Sequence, residues 1–403
     1  MRLNRAVAAA LLATSLTLIT GCQTAGDTTG DTRDLVIAAD LELNGADAAI
    51  GQVYERALRL KVDEINASGV LGSRKVKLQV RDNRSDRTLS TGNITDFTND
   101  PSVSAIITGA CAECIVYSAK RIDDRHVPTI SLSPADVVTP VEDRRYIFKV
   151  APNAADSAAA LASEIQHDDV TKIGLLTTDD AYGKTGREVM TQEIDKLKGT
   201  ANSSARSWRK PSGPEIATST TIRPTDTDVS QAVDLLLAKN IDAMVVWAFP
   251  NQAVAIAEAA RSAGYKGKLY FDAAAAGNLF LSGPAAEATE GTKLVFSQTL
   301  AIDDVVASTP AKAARKQWFE DYTSRYGAYN GYASFAADAV QLLVNGVVVT
   351  GGVDRERLKD VLETSQFDGL SGQIRITPDN HSGLMPQALT SLIARNGRWR
   401  LGG

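Results

Sequence analysis

Residues 103–134 read VSAIITGACAECIVYSAKRIDDRHVPTISLSP. Their reading decides the fold, because three patterns follow one another without a break. Val103–Thr108 is almost wholly apolar, as a strand covered on both faces must be. Cys114–Asp124 reads as a helix, and Val127–Leu132 returns to strand. Two strands joined by one helix make a right-handed β-α-β unit, whose strands run parallel. The connection Gly109–Glu113 places Cys111 and Cys114 as C-x-x-C at the start of the helix. That spacing fits a redox pair, half of a metal site or a small disulfide, and it also fits a loop with another task.

The same alternation extends in both directions. Toward the N-terminus, Asp34–Leu41 reads as a buried strand. Ile50, Tyr54, Leu58, Val62 and Ile65 then recur at helical spacing, until Gly69 and Gly72 stop the helix. Val76, Leu78 and Val80 alternate as a second strand, and Leu89–Thr98 reads as a helix. Beyond the quoted stretch, Tyr146–Val150 is a short strand, and then the pattern restarts. Helix 154–166, strand 172–177, helix 185–197, strand 218–222, a helix through Val229, Val233 and Leu236, strand 241–247, helix 252–263 and strand 268–272 follow in turn. Residues 200–215 read as a surface excursion. Helices 311–326, 332–349 and 355–363 come next, with late strands at 372–377 and 389–400. Two such halves predict an α/β protein of two lobes, each a doubly wound parallel sheet. Ligands in such sheets bind beyond the carboxyl ends of the strands. The rims are therefore 44–50, 109–113 and 131–136 in the first lobe, and 178–182, 248–251 and 272–277 in the second.

The first residues are read as a leader rather than as fold. Arg2 and Arg5 precede an apolar run, Ala6–Thr20, which is short for a membrane span. The run stops at Gly21-Cys22, the pattern of a bacterial lipobox. We expect residues 1–21 to be a lipoprotein signal peptide, Cys22 to be lipidated, and residues 22–33 to be a flexible tether rich in Thr, Gly and Asp. Of the formal net charge of −5, residues 1–21 contribute two arginines and no acid, so the remainder carries −7. A mildly acidic exported chain without a basic stripe is not expected to bind nucleic acid. With Cys22 lipidated, two cysteines remain, and His126, His167 and His381 are scattered. That leaves no set of about four ligands for zinc. No P-loop, Gly-x-Ser-x-Gly or His-Glu-x-x-His is present, so neither a cofactor nor an enzyme is expected. A thiol–disulfide oxidoreductase using Cys111 and Cys114 is a remote alternative.

Four stretches together resemble one family. They are the helix 51–66 ending in DEINASG, PTISLSPADVVT at 128–139, DAYG at 180–183 and FDGLSGQIRIT at 367–377. In order and spacing the chain is similar to the type I extracytoplasmic solute-binding proteins of ABC transporters, in the leucine/isoleucine/valine-binding branch. The resemblance implies a periplasmic-binding-protein type I fold, with three hinge strands between the lobes and a ligand cleft. We place lobe 1 at 34–150 plus 278–371 and lobe 2 at 151–277 plus 372–403. The crossings are expected near Val150, near Ala273–Gly277 and near Gly372. The resemblance also implies a monomer on the outer side of the membrane. It would capture an amino-acid-like solute and deliver it to the transmembrane subunits of an ABC permease, or report the solute to a signalling partner. A non-amino-acid acid or amide is the alternative solute.

Carried over residue by residue, Ser133 matches the family's solute-carboxylate hydroxyl, while Ala135 and Ala112 stand where further hydroxyls are common. Tyr182 matches the aromatic of the second lobe, and Phe249 falls where a second tyrosine is common. Ala274 stands at the position of the ammonium-binding glutamate, so either Asp272 or Glu113 takes its place or the solute lacks an α-ammonium. Cys111 and Cys114, about 5–6 Å apart at a helix start, are expected to be a disulfide or thiol pair that shapes the loop.

Overall fold

The computed structural model describes residues 31–204, 213–276 and 283–402. The expected leader, Cys22 and Gly277 lie outside them. The first sheet has the order β2-β1-β3-β4-β5 and is parallel throughout. Its strands are β1 (Leu35–Leu41), β2 (Val76–Asp82), β3 (Ala105–Thr108), β4 (Thr129–Ser131) and β5 (Ile147–Lys149). Interior strand β1 is buried along its whole length. Leu35, Ile37, Ala39 and Leu41 join the main core with Tyr54 and Leu58 of α1 (Ala48–Ser68). Val36 and Ala38, on the opposite face, pack with Phe97 of α2 (Arg87–Asn99), Ile106 and Val127. A strand with helices on both sides has no solvent face, hence its largely apolar sequence; the one acid in it, Asp40, is buried and accepts from the side chains of Asn83, Ser90 and Asn93. α3 (Ala112–Asp124) returns the chain from β3 to β4.

The second sheet has the order β14-β13-β10-β9-β8-β6-β7. Strands β6 (Lys172–Thr178), β7 (Glu215–Ile222), β8 (Ala243–Trp247), β9 (Lys268–Phe271) and β10 (Lys293–Ser297) are parallel. Helices α4 (Ala154–His167), α5 (Ala181–Ser204), α6 (Ser230–Leu237) and α7 (Pro250–Ser262) connect or flank them, and α8 (Gly283–Thr289) precedes β10. β13 (Leu389–Arg395) and β14 (Arg398–Leu401) add an antiparallel edge.

Three readings from the sequence are corrected here. β10 lies within the expected start of the lobe 1 addition, yet it pairs with β9 and β13. The described chain through Ser297, α8 and β10, therefore belongs with the second sheet. It then passes by a 3-10 segment, Gln298–Asp304, to α9 (Pro310–Tyr326) and to α10 (Tyr332–Thr350), which packs on α1. A five-residue apolar run carries too little periodicity to be told from loop. The third crossing lies later than Gly372. β11 (Gln366–Asp368) and β12 (Gln373–Arg375) form their own small hairpin after α11 (Arg355–Leu362), and Ser382 still bridges to Lys149 at the end of β5. Finally, 389–400 is two strands: Asn396 and Gly397 both have positive φ and turn the chain back, as Asn-Gly does in tight hairpins.

α10 is long and apolar enough to cross a membrane by composition, yet most of it is buried against α1 and α11. Its Asp338 accepts hydrogen bonds from the amides of Leu370 (2.7 Å) and Ser371 (2.8 Å) and from the Ser371 hydroxyl. A Cβ on Gly369 would strike that carboxyl group. The FDGLSG segment is thus a loop docked on a buried acid of the helix.

Candidate functional site

The carboxyl ends of β1, β3 and β4 open on one side of the first sheet, and those of β6, β8 and β9 supply the opposing rim. Glu42 follows β1 and is fully buried. Its carboxylate accepts hydrogen bonds from the amides of Ala110 and Cys111, both at 3.1 Å, just ahead of α3. Two glycines make room for it. A Cβ on Gly109 would fall inside the Glu42 carboxylate, and one on Gly51 would strike the Glu42 backbone. Burial, with Asp47 and Asp40 nearby, pushes the Glu42 carboxyl up to about 7, against the pull of the Cys111 amide. Beside it Tyr54 is buried, and its hydroxyl donates to the Leu132 carbonyl at 3.0 Å.

On the opposite rim Asp272 follows β9 and is also fully buried. It accepts from the amides of Ala274 (2.7 Å) and Ala248 (3.2 Å) and from the Tyr182 hydroxyl. Burial raises its carboxyl to about 7 despite those three donors. Tyr182 stacks on Phe249, ring centroids 5.2 Å apart, and lies 5.9 Å from Trp247. The DAYG motif explains the placement of Tyr182. Asp180 accepts from the Thr178 hydroxyl (2.7 Å) and the Gly183 amide (2.8 Å), which caps α5. A side chain on Gly183 would collide with the Thr178 carbonyl.

Side chains from both rims meet. Tyr332 of α10 donates its hydroxyl to the Ala274 carbonyl and makes an edge contact with Tyr54 at 5.8 Å. Asp47, half-buried ahead of α1, is pushed up to about 6 by burial and by Asp180 of the other lobe. At the hinge, Asp136 accepts from the amides of Ala154 (2.9 Å) and Ala155 (3.2 Å), which open α4. Fully buried Lys149 reaches Asp136 at 3.0 Å. Burial lowers the Lys149 ammonium, and Asp136 opposes that shift. His381 is buried at the same hinge, stacked on Phe148 at 4.3 Å and bonded to the Ile147 carbonyl at 2.9 Å.

The residues named from sequence separate into groups. Tyr182, Phe249, Asp272 and Ala274 come together. Ser133 is buried, and its hydroxyl accepts from the Ala135 amide at 3.4 Å, a local turn bond. Ala135 offers its carbonyl to Lys149 at 3.4 Å. Ala112 is buried at the start of α3, whereas Glu113 beside it is exposed. Cys111 and Cys114 are joined by a disulfide, Cα atoms 5.3 Å apart, and the Cys114 amide donates to Cys111 Sγ at 3.2 Å. Glu42, Tyr54 and Tyr332 were missed, because Glu42 ends an apolar strand and the tyrosines fall on helical core positions. The signal available was an acid directly after β1, with glycines at 51 and 109 to seat it. Among the described residues no group of three or more His, Cys, Asp or Glu is placed to hold a metal ion.

The family model described as periplasmic binding protein matches residues 36–397. The Leu/Ile/Val-binding protein homolog 8 of Brucella abortus is 26% identical over 235 residues, covering 56% of this chain and 54% of that protein. The chain thus spans about half the length of that relative. Two solved structures share the fold. The branched-chain amino acid transporter substrate-binding protein LivJ of Streptococcus pneumoniae, in complex with isoleucine, is 21% identical with a TM-score of 0.76, covering 92% of this chain and 99% of its own. A solute-binding protein of an ABC transporter from R. palustris, in complex with benzoate, is 18% identical with a TM-score of 0.77, covering 92% and 96%. With two α/β sheets meeting over buried carboxylates and aromatic rings, and a family match across nearly its whole length, the chain belongs to the periplasmic binding protein family.

Proposed function

We propose that this protein is an extracytoplasmic solute-binding lipoprotein that captures a small organic solute between its lobes and delivers it to an ABC permease. The observation that carries this is the contact from Tyr332 to the Ala274 carbonyl across the cleft. A hydrogen bond from one rim to the other is what a clamshell needs to hold a closed state. Tyr54, Tyr182, Phe249, Glu42 and Asp272 beside that contact are the groups we assign to the solute. Proteins of the same fold hold isoleucine and benzoate, which supports a small organic solute. The lipid anchor at Cys22 and the permease as partner rest on the sequence pattern and the resemblance.

The test is a solute screen by thermal shift with small-angle scattering on the purified protein. At a free solute concentration about 100 times Kd, stabilisation of about 2.7 kcal/mol is expected, with a fall in radius of gyration. A deletion strain is expected to lose uptake of the same solute. If no small molecule of any class stabilises the protein or contracts it, the reading fails.

A further inference from the structure

The N-terminal end of a helix is a ready seat for an anion, since its free amides point outward and its dipole favours negative charge. The seat ahead of α3 would suit a solute carboxylate, but it is already taken. The amides of Ala110 and Cys111 donate to Glu42, which lies in a space kept open by Gly51 and Gly109. The Cys114 amide is turned to Cys111 Sγ. On the facing rim the amides of Ala248 and Ala274 donate to Asp272. Each rim has thus filled its amide seat with a fully buried carboxylate of the protein.

Cations do not balance these acids. Among the described residues no Lys or Arg forms an ion pair with Glu42, Asp47, Asp180 or Asp272. Lys149 is held by Asp136 and by the carbonyls of Pro134 and Ala135. Arg187 reaches the Thr177 hydroxyl. Asp47 and Asp180 bring like charge together from opposite lobes, which opposes closure unless something positive lies between them. Beside the carboxylates stand the rings of Tyr54, Tyr332, Tyr182 and Phe249, and ring faces attract ammonium groups.

We propose that Glu42 sets the solute class of the cleft, excluding solutes that present a carboxylate to the first lobe and selecting an organic cation, an amine or quaternary ammonium compound. This rests on the reading of the cleft as a solute site. The charge that closure lacks is then supplied by the solute.

The experiment compares putrescine, agmatine and choline with L-isoleucine and benzoate, by calorimetry and thermal shift, on the wild-type protein, Glu42→Gln and Glu42→Ala. At least one cation is expected to bind wild type at least tenfold more tightly than either carboxylate. Glu42→Gln, which keeps the shape, is expected to lose tenfold or more in affinity for that cation. Glu42→Ala frees the two amides and is expected to gain for benzoate. Tighter binding of isoleucine or benzoate by wild type overturns the proposal while leaving solute capture intact. Absence of binding by all three cations, or cation binding unchanged in Glu42→Gln, also overturns it. Solute capture itself fails only if the wider screen is also blank. Thermal unfolding without probes shows whether each variant is folded, and the wild-type comparison stands without either of them.

Discussion

The two rims solve one problem with different means. Each buries a carboxylate directly after a parallel strand, and each gives it two backbone amides. Asp272 has in addition the Tyr182 hydroxyl. Glu42 has only its amides, with Asp47 and Asp40 as electrostatic neighbours. Both are pushed up to about 7. Burial therefore dominates at both seats, and what separates them is the donor count: the Glu42 carboxylate, with one donor fewer, has more acceptor capacity left for a solute. A buried acid is stabilised by the number of donors aimed at it, and otherwise by what arrives from outside.

The largest effect is expected where the network is most complete. Asp272→Ala leaves two amides and a phenol without an acceptor, so a loss of about 3 kcal/mol is expected in urea unfolding. A smaller loss than for Glu42→Ala would reverse the ranking of the two seats.

The pH dependence comes next. Glu42 and Asp272 keep protons in the folded protein up to about pH 7 that the unfolded chain releases near pH 4. The folded state then binds more protons across pH 5–7, so their contribution makes stability fall as pH rises through that window and level off above it. His381, whose pKa burial lowers, acts in the opposite direction below about pH 6.5. The wild type compared with Glu42→Gln isolates the Glu42 share, of the order of 3 kcal/mol between pH 5 and 8. Parallel pH profiles for the two proteins would show that Glu42 is already ionised at pH 5.

Removing the disulfide separates the rims. Cys111→Ser with Cys114→Ser opens a loop of four residues, worth about 2 kcal/mol in the chain-entropy account. It is expected to weaken the Glu42 seat while leaving Tyr182 and Asp272 undisturbed, which tyrosine fluorescence and solute affinity measure together. The smallest effect is expected for Tyr182→Phe, about 1 kcal/mol, since Asp272 keeps both amides. A loss well above that would mean that the phenol, and not the backbone, holds the acid in place.

Much of this was legible in the chain. Residues 34–41 read as a buried strand from their apolar run, and all seven residues of β1 are buried. Tyr182 was found from the DAYG stretch in the rim after strand 172–177, and Asp272 because it closes strand 268–272, two places before Ala274. β10 was not found, since KLVFS is too short to show a period. The assignment of β10 to the first lobe failed with it.

The sequence by itself determined the alternation of strands and helices, and hence the parallel sheets and the rims. Those follow from local periodicity and from the handedness of β-α-β units. Only the tertiary structure decided which acids those rims bury. Glu42 meets the amides of residues 110 and 111, and Tyr332 meets Ala274. Contacts between groups so far apart in the chain depend on how helices pack on sheets and how two lobes face each other. Periodicity along the chain carries no record of that distance.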